Sequence, residues 1–120
     1  MSSRWVIDNG KAVWDGRRLY ESAEIIVADL VAEFDPTPVW LYGSVARGDG
    51  DSDSDLLVVL DSFDPRGAID HEVRAFKASA SSAPFDVSFT DPDRHQARSQ
   101  TPGTIERAAA LDGRCLYQRD

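Results

Sequence analysis

The apolar positions of this chain change their period several times, and each change marks an element. Two short apolar runs, Trp5-Val6-Ile7 and Ala12-Val13-Trp14, flank Asn9-Gly10. A type I′ turn needs φ > 0 at both central residues, which Asn-Gly tolerates. The expected hairpin sets Asp8 opposite Lys11, Ile7 opposite Ala12 and Trp5 opposite Trp14. A lone hairpin is marginal, so it should pack as a cover over one edge of the core.

Residues 17–34 turn to a helical period, with Leu19, Ala23, Ile26, Val27, Leu30, Val31 and Phe34 three and four apart. Asp35-Pro36-Thr37-Pro38 stops that helix, because proline lacks an N–H and pushes its predecessor out of helical backbone. Val39–Tyr42 reads as a short strand. Leu56–Leu60 is aliphatic at every position, as in a central strand covered on both faces. A loop at 61–67 leads to a helix over 68–80, with Ile69, Val73, Phe76 and Ala80 as its apolar stripe. Residues 85–90 alternate, placing Phe85, Val87 and Phe89 on one face and Asp86 and Ser88 on the other.

Asp91-Pro92 is an N-cap with proline at the first helical position, opening a helix to about Arg98. Thr101-Pro102 repeats the device for a helix through Ala110, which Gly113 ends. Cys115–Tyr117 reads as a last short strand. This order predicts one α/β (α+β) domain over 1–120: a small mixed β-sheet flanked by helices, with residues 1–16 as an N-terminal hairpin extension.

At 120 residues the chain can bury one core. A single cysteine, Cys115, excludes an intrachain disulfide, fits a reducing compartment and reads as a small buried apolar residue. No apolar run approaches the ~20 residues of a membrane span. The N-terminus lacks the basic segment and apolar core of a signal peptide. The expectation is a soluble cytoplasmic protein. The net charge of −8 argues against a grip on long nucleic acid, which takes a basic surface.

The candidate chemistry lies between Tyr42 and Leu56. Gly43-Ser44 is a small-residue turn whose backbone N–H groups are open to a phosphate. Asp49, Asp51, Asp53 and Asp55 recur at every second position, so Asp53 and Asp55 share one face as the aliphatic run begins. Paired carboxylates repel unless a cation sits between them, and magnesium takes such oxygen ligands along with substrate phosphates. Asp86, on the polar face of its strand, can join them. A calcium loop is a poor rival: starting at Asp49, Ser54 and Leu60 stand where such a loop needs Gly and Glu. A solvated acidic turn accounts for Asp49 and Asp51. It does not account for Asp55 against Leu56-Leu57-Val58, or for Asp86 within an aromatic strand. His71, His95, Arg94 and Arg98 read as solvated side chains.

Gly43-Ser44-x-Ala46-Arg47-Gly48 followed by Ser52-Asp53-x-Asp55-Leu56, with the later Asp86, resembles the signature of the DNA polymerase β-like nucleotidyltransferases. The nearest branch is the minimal nucleotidyltransferases, and the likeness runs over residues 38–117. The spacer between the Gly-Ser turn and the aspartate pair is shorter here than in many members. The resemblance implies two Mg2+ ions held by Asp53, Asp55 and Asp86, with Asp86 on the catalytic ion and able to take the acceptor proton. It implies phosphate contacts from Gly43, Ser44 and Arg47, and a nucleoside triphosphate, ATP first, as substrate. Members of this branch often act as antitoxins that adenylylate a tyrosine of a HEPN-domain toxin. The acceptor expected here is that partner. RNA 3′ ends, a small hydroxylated compound such as an aminoglycoside, and an inactive partner-binding module are the alternatives. A homo-oligomer stays open.

Overall fold

The computed structural model describes residues 5–8, 11–14, 17–43, 54–79 and 85–119, with side chains from residue 23 onward. Strands β1 (Trp5–Asp8) and β2 (Lys11–Trp14) pair antiparallel in the expected register, Trp5 opposite Trp14 and Asp8 opposite Lys11. The Asn9-Gly10 turn itself lies outside the described residues. A further short strand, β3 (Arg17–Arg18), pairs with Val13 and Trp14, so the helix opens at Leu19 and not at 17. Strands β2 and β3 lie against that helix, α1 (Leu19–Phe34). The chain leaves α1 through Asp35, whose φ of 48° turns it toward the buried Pro36.

The main sheet has four strands in the order β6-β5-β4-β7. They are β4 (Pro38–Tyr42), β5 (Ser54–Val59), β6 (Phe85–Thr90) and β7 (Arg114–Gln118). β5 pairs antiparallel with β4 and parallel with β6, so the sheet is mixed. One face carries Val39, Leu41, Leu56, Val58, Val87 and Phe89, and α1 closes it with Ala23, Ile26, Val27 and Leu30. The other face buries Leu57 and Val59 under α4 (Ile105–Asp112). Coverage on both faces explains why β5 is aliphatic from Leu56 to Val59.

Helix α2 (Ala68–Ala78) follows a 3-10 turn at Pro65–Gly67. Its expected apolar stripe points the other way: Ile69, Val73 and Phe76 are 75%, 45% and 50% exposed, while Ala80 lies outside the described residues. Ala75 is its buried residue, and Ala68, His71 and Ala78 are half-buried beside it. The helix thus turns its small side chains, with His71, toward the core. His71 is not solvated as expected. Its ring packs among Phe34, Phe63 and Phe89 at 5.2–5.9 Å, and its Nδ1 lies 2.8 Å from the Gly67 carbonyl.

Helix α3 (Pro92–Arg98) opens as expected, with the Asp91 carboxylate accepting from Arg94 N–H at 2.9 Å. The cap of α4 is Thr104 rather than Thr101. Gly103 takes φ 84° and delays the helix, and Thr104 Oγ1 accepts from Arg107 N–H at 3.1 Å. Cys115 is exposed on β7, not buried, with its thiol donating to the Tyr117 carbonyl at 3.1 Å. β7 is an edge strand, and an edge leaves more of its surface open than a central strand does.

Candidate active site

Strand directions bring Gly43, Asp55 and Asp86 to one end of the sheet. β5 and β6 run parallel, and Asp55 and Asp86 are each the second residue of their strand. They are direct register partners, Asp55 beside Asp86. Neighbouring strands lie about 4.8 Å apart, so the two carboxylates leave the same face side by side. Asp55 is half-buried and Asp86 exposed. β4 runs the opposite way, so its C-terminal end, Tyr42-Gly43, arrives at the same place, with Tyr42 opposite Asp55.

Gly43 has a φ of 78°. A side chain there would run into Asp55 Oδ2, which occupies the space a Cβ would fill. The glycine therefore lets the backbone pass directly against the acid. Asp53, Ser44 and Arg47, with the acidic turn at Asp49 and Asp51, lie outside the described residues. Among the described residues, no cluster of three or more His, Cys, Asp or Glu is placed to hold a metal. Asp55 and Asp86 supply two hard oxygen donors from adjacent strands. That donor set suits a magnesium ion, whose remaining ligands come from water and phosphate.

The same face continues inward as a polar row. Tyr42 makes a side-chain hydrogen bond with Ser88 and feels Asp55, Asp86 and Glu106. Burial, then the charge of Asp55, pushes its hydroxyl up to about 12. Glu106, on α4, is buried. Its Oε2 accepts from Arg98 Nε at 2.9 Å and lies 3.4 Å from Thr90 Oγ1. Arg98 is therefore a partner to a buried carboxylate and not simply a solvated side chain. His95 is likewise half-buried: its ring stacks on Trp40 at 6.3 Å and 17°. His95 Nδ1 and Trp40 Nε1 are buried with no hydrogen bond among the described residues.

Tyr42 and Glu106 were not singled out from the sequence. Tyr42 could have been, since it directly precedes the glycine turn and shares a strand face with any acid opposite it. Glu106 gives no such signal. Its burial depends on Arg98, eight residues away across a turn that local pattern does not place.

Residues 24–108 match the nucleotidyltransferase domain family, and the chain belongs to that family. A search of curated proteins found no match. A crystal structure from Sulfolobus solfataricus, assigned as a nucleotidyltransferase, superposes with a TM-score of 0.59 at 21% identity, covering 84% of this chain and 81% of that one. A crystal structure of a toxin–antitoxin with AMP-PNP superposes with a TM-score of 0.51 at 20% identity, covering 81% and 74%. At these identities the likeness is one of fold: the same mixed sheet with helices on its faces. Among the described residues no helix is long and apolar enough to cross a membrane.

Proposed function

We propose that the protein transfers a nucleoside monophosphate, AMP from ATP, to a hydroxyl acceptor and releases pyrophosphate. The observation that carries this reading is the register pairing of Asp55 with Asp86 at the sheet end where Gly43 closes over Asp55. In the reaction, a bond forms between the acceptor oxygen and the α-phosphorus. The bond from that phosphorus to the bridging oxygen breaks, and pyrophosphate takes the electron pair. The acceptor proton passes to Asp86, the more exposed carboxylate. Asp53, Asp55 and Asp86 are the residues that would hold divalent metal. Bound there, Mg2+ supplies charge neutralisation for the attacking and leaving oxygens. Gly43 and Ser44 offer backbone N–H groups to the β- and γ-phosphates, and Arg47 adds a charge-assisted contact.

The acceptor in this reading is a tyrosine hydroxyl of a partner protein, a HEPN-type toxin, with this chain as the antitoxin in the cytoplasm. The toxin–antitoxin neighbour with AMP-PNP supports a nucleotide and a protein partner together. The net charge of −8 supports a protein acceptor over RNA, whose phosphates it would repel. The test is to incubate the purified chain with α-labelled ATP, Mg2+ and a cell extract, then resolve protein from RNA. Label on protein that survives nuclease supports the reading. Label confined to RNA or to small molecules contradicts the acceptor assignment.

A further inference from the structure

Ile69, Val73 and Phe76 stand at successive spacings of four and three on α2, on the side away from the core. That is the alternating seam by which two helices pack. Phe76 rests partly on Phe85, with ring centroids 4.9 Å apart, and is still half open. Beside the seam, on one flank, lie Asp70 and Lys77, seven residues apart. Both are exposed, and neither has a hydrogen bond or ion pair among the described residues.

We infer that this face of α2 is a self-pairing surface, on which a second copy of the chain docks its own α2 antiparallel. A two-fold axis relating antiparallel helices brings the same flank of each together. Asp70 of one copy then faces Lys77 of the other, and the reverse pair forms by symmetry. An acid at one end of a flank and a base at the other is the charge pattern that such a pair needs. The helix thus carries both halves of its own complement: a seam of apolar side chains and mirrored opposite charges. The net charge of each copy is screened within ~8 Å at physiological ionic strength and does not forbid the approach. Two helical turns per copy make a small interface of the transient class, so the dimer is reversible and depends on concentration. The seam lies on the helix layer covering the Val58 face of the sheet, so pairing leaves the Asp55 and Asp86 face open.

The test is sedimentation equilibrium of the full chain over a wide concentration range. The wild type should rise toward twice the chain mass as concentration increases. Ile69→Asp should weaken association by at least about tenfold through loss of apolar burial. At 75% exposure Ile69 does little for the fold of its own chain, and an unchanged circular dichroism melt checks this. Asp70→Lys should also weaken the dimer, and Asp70→Lys with Lys77→Asp should restore it. A wild type that stays monomeric at every concentration overturns the proposal. So does a dimer that Ile69→Asp leaves intact, or one that the double exchange fails to rescue. Nucleotidyl transfer by the Ile69→Asp monomer is a separate readout, so the two readings can fail independently.

Discussion

Gly43 and Asp55 occupy each other's space: a side chain on the glycine would overlap Oδ2 of the acid. The φ of 78° at Gly43 adds a second reason for glycine, since an L side chain there costs about 1–2 kcal/mol. The backbone at position 43 and the Asp55 carboxylate thus approach this closely because position 43 carries no side chain. Gly43→Ala should lower stability by at least that amount and lower the melting temperature by several degrees. Nucleotide transfer should fall further than stability, because Asp55 must move to admit the methyl group. Thermal unfolding with a transfer assay on the same sample checks both. An alanine variant with wild-type melting and wild-type transfer would contradict the close approach.

The buried Glu106 carboxylate depends on Arg98, with Thr90 within reach on the sheet. Arg98→Ala strands that charge and should cost roughly 1–3 kcal/mol, the usual loss when a hydrogen bond to a charged group is removed. Glu106→Gln keeps the shape and a hydrogen-bonding group, and should cost less. Urea denaturation of the two variants gives the ranking. Equal stability in Arg98→Ala and wild type would show that the pair holds nothing together.

Tyr42 sets a pH dependence at the alkaline end. Its hydroxyl is pushed up to about 12 from an ordinary value of 10.0, first by burial and then by Asp55. The folded chain therefore holds this proton more tightly than the unfolded chain. Below the unfolded value both states are neutral and the contribution is complete. As pH rises from 10 toward 12, the unfolded phenol ionises first and stability is lost. Urea titrations at the two ends of this window should show a larger loss in wild type than in Tyr42→Phe. Parallel losses would remove Tyr42 as the cause.

Much of the fold follows from short-range rules. The hairpin register, the Asp91 cap, the buried aliphatic β5 and the in–out alternation of Phe85–Phe89 all follow from period and turn chemistry. The pairing of Asp55 with Asp86 was within reach too, because each lies just inside an element whose strand character is plain. What failed depends on packing partners. The α2 stripe is strong by pattern, yet the alanine face is the one that packs inward. His71 is polar by type, yet it fills a hole among three phenylalanines. Cys115 is apolar by type, yet it sits on an edge strand. Arg98 and Glu106 find each other across a turn set by the φ of Gly103. No local pattern carries these tertiary facts.

The proposed transfer requires Asp55 and Asp86 to act together on one metal-bound triphosphate. The most direct measurement is incorporation of label from α-labelled ATP by wild type, Asp55→Asn and Asp86→Asn, each checked for an unchanged melting curve. Asparagine keeps the size and shape of aspartate and removes one charge, so the comparison is made between variants that melt as wild type does. Transfer should drop at least about 100-fold in both. Undiminished transfer in either variant, folded as wild type, would contradict the assignment of this site.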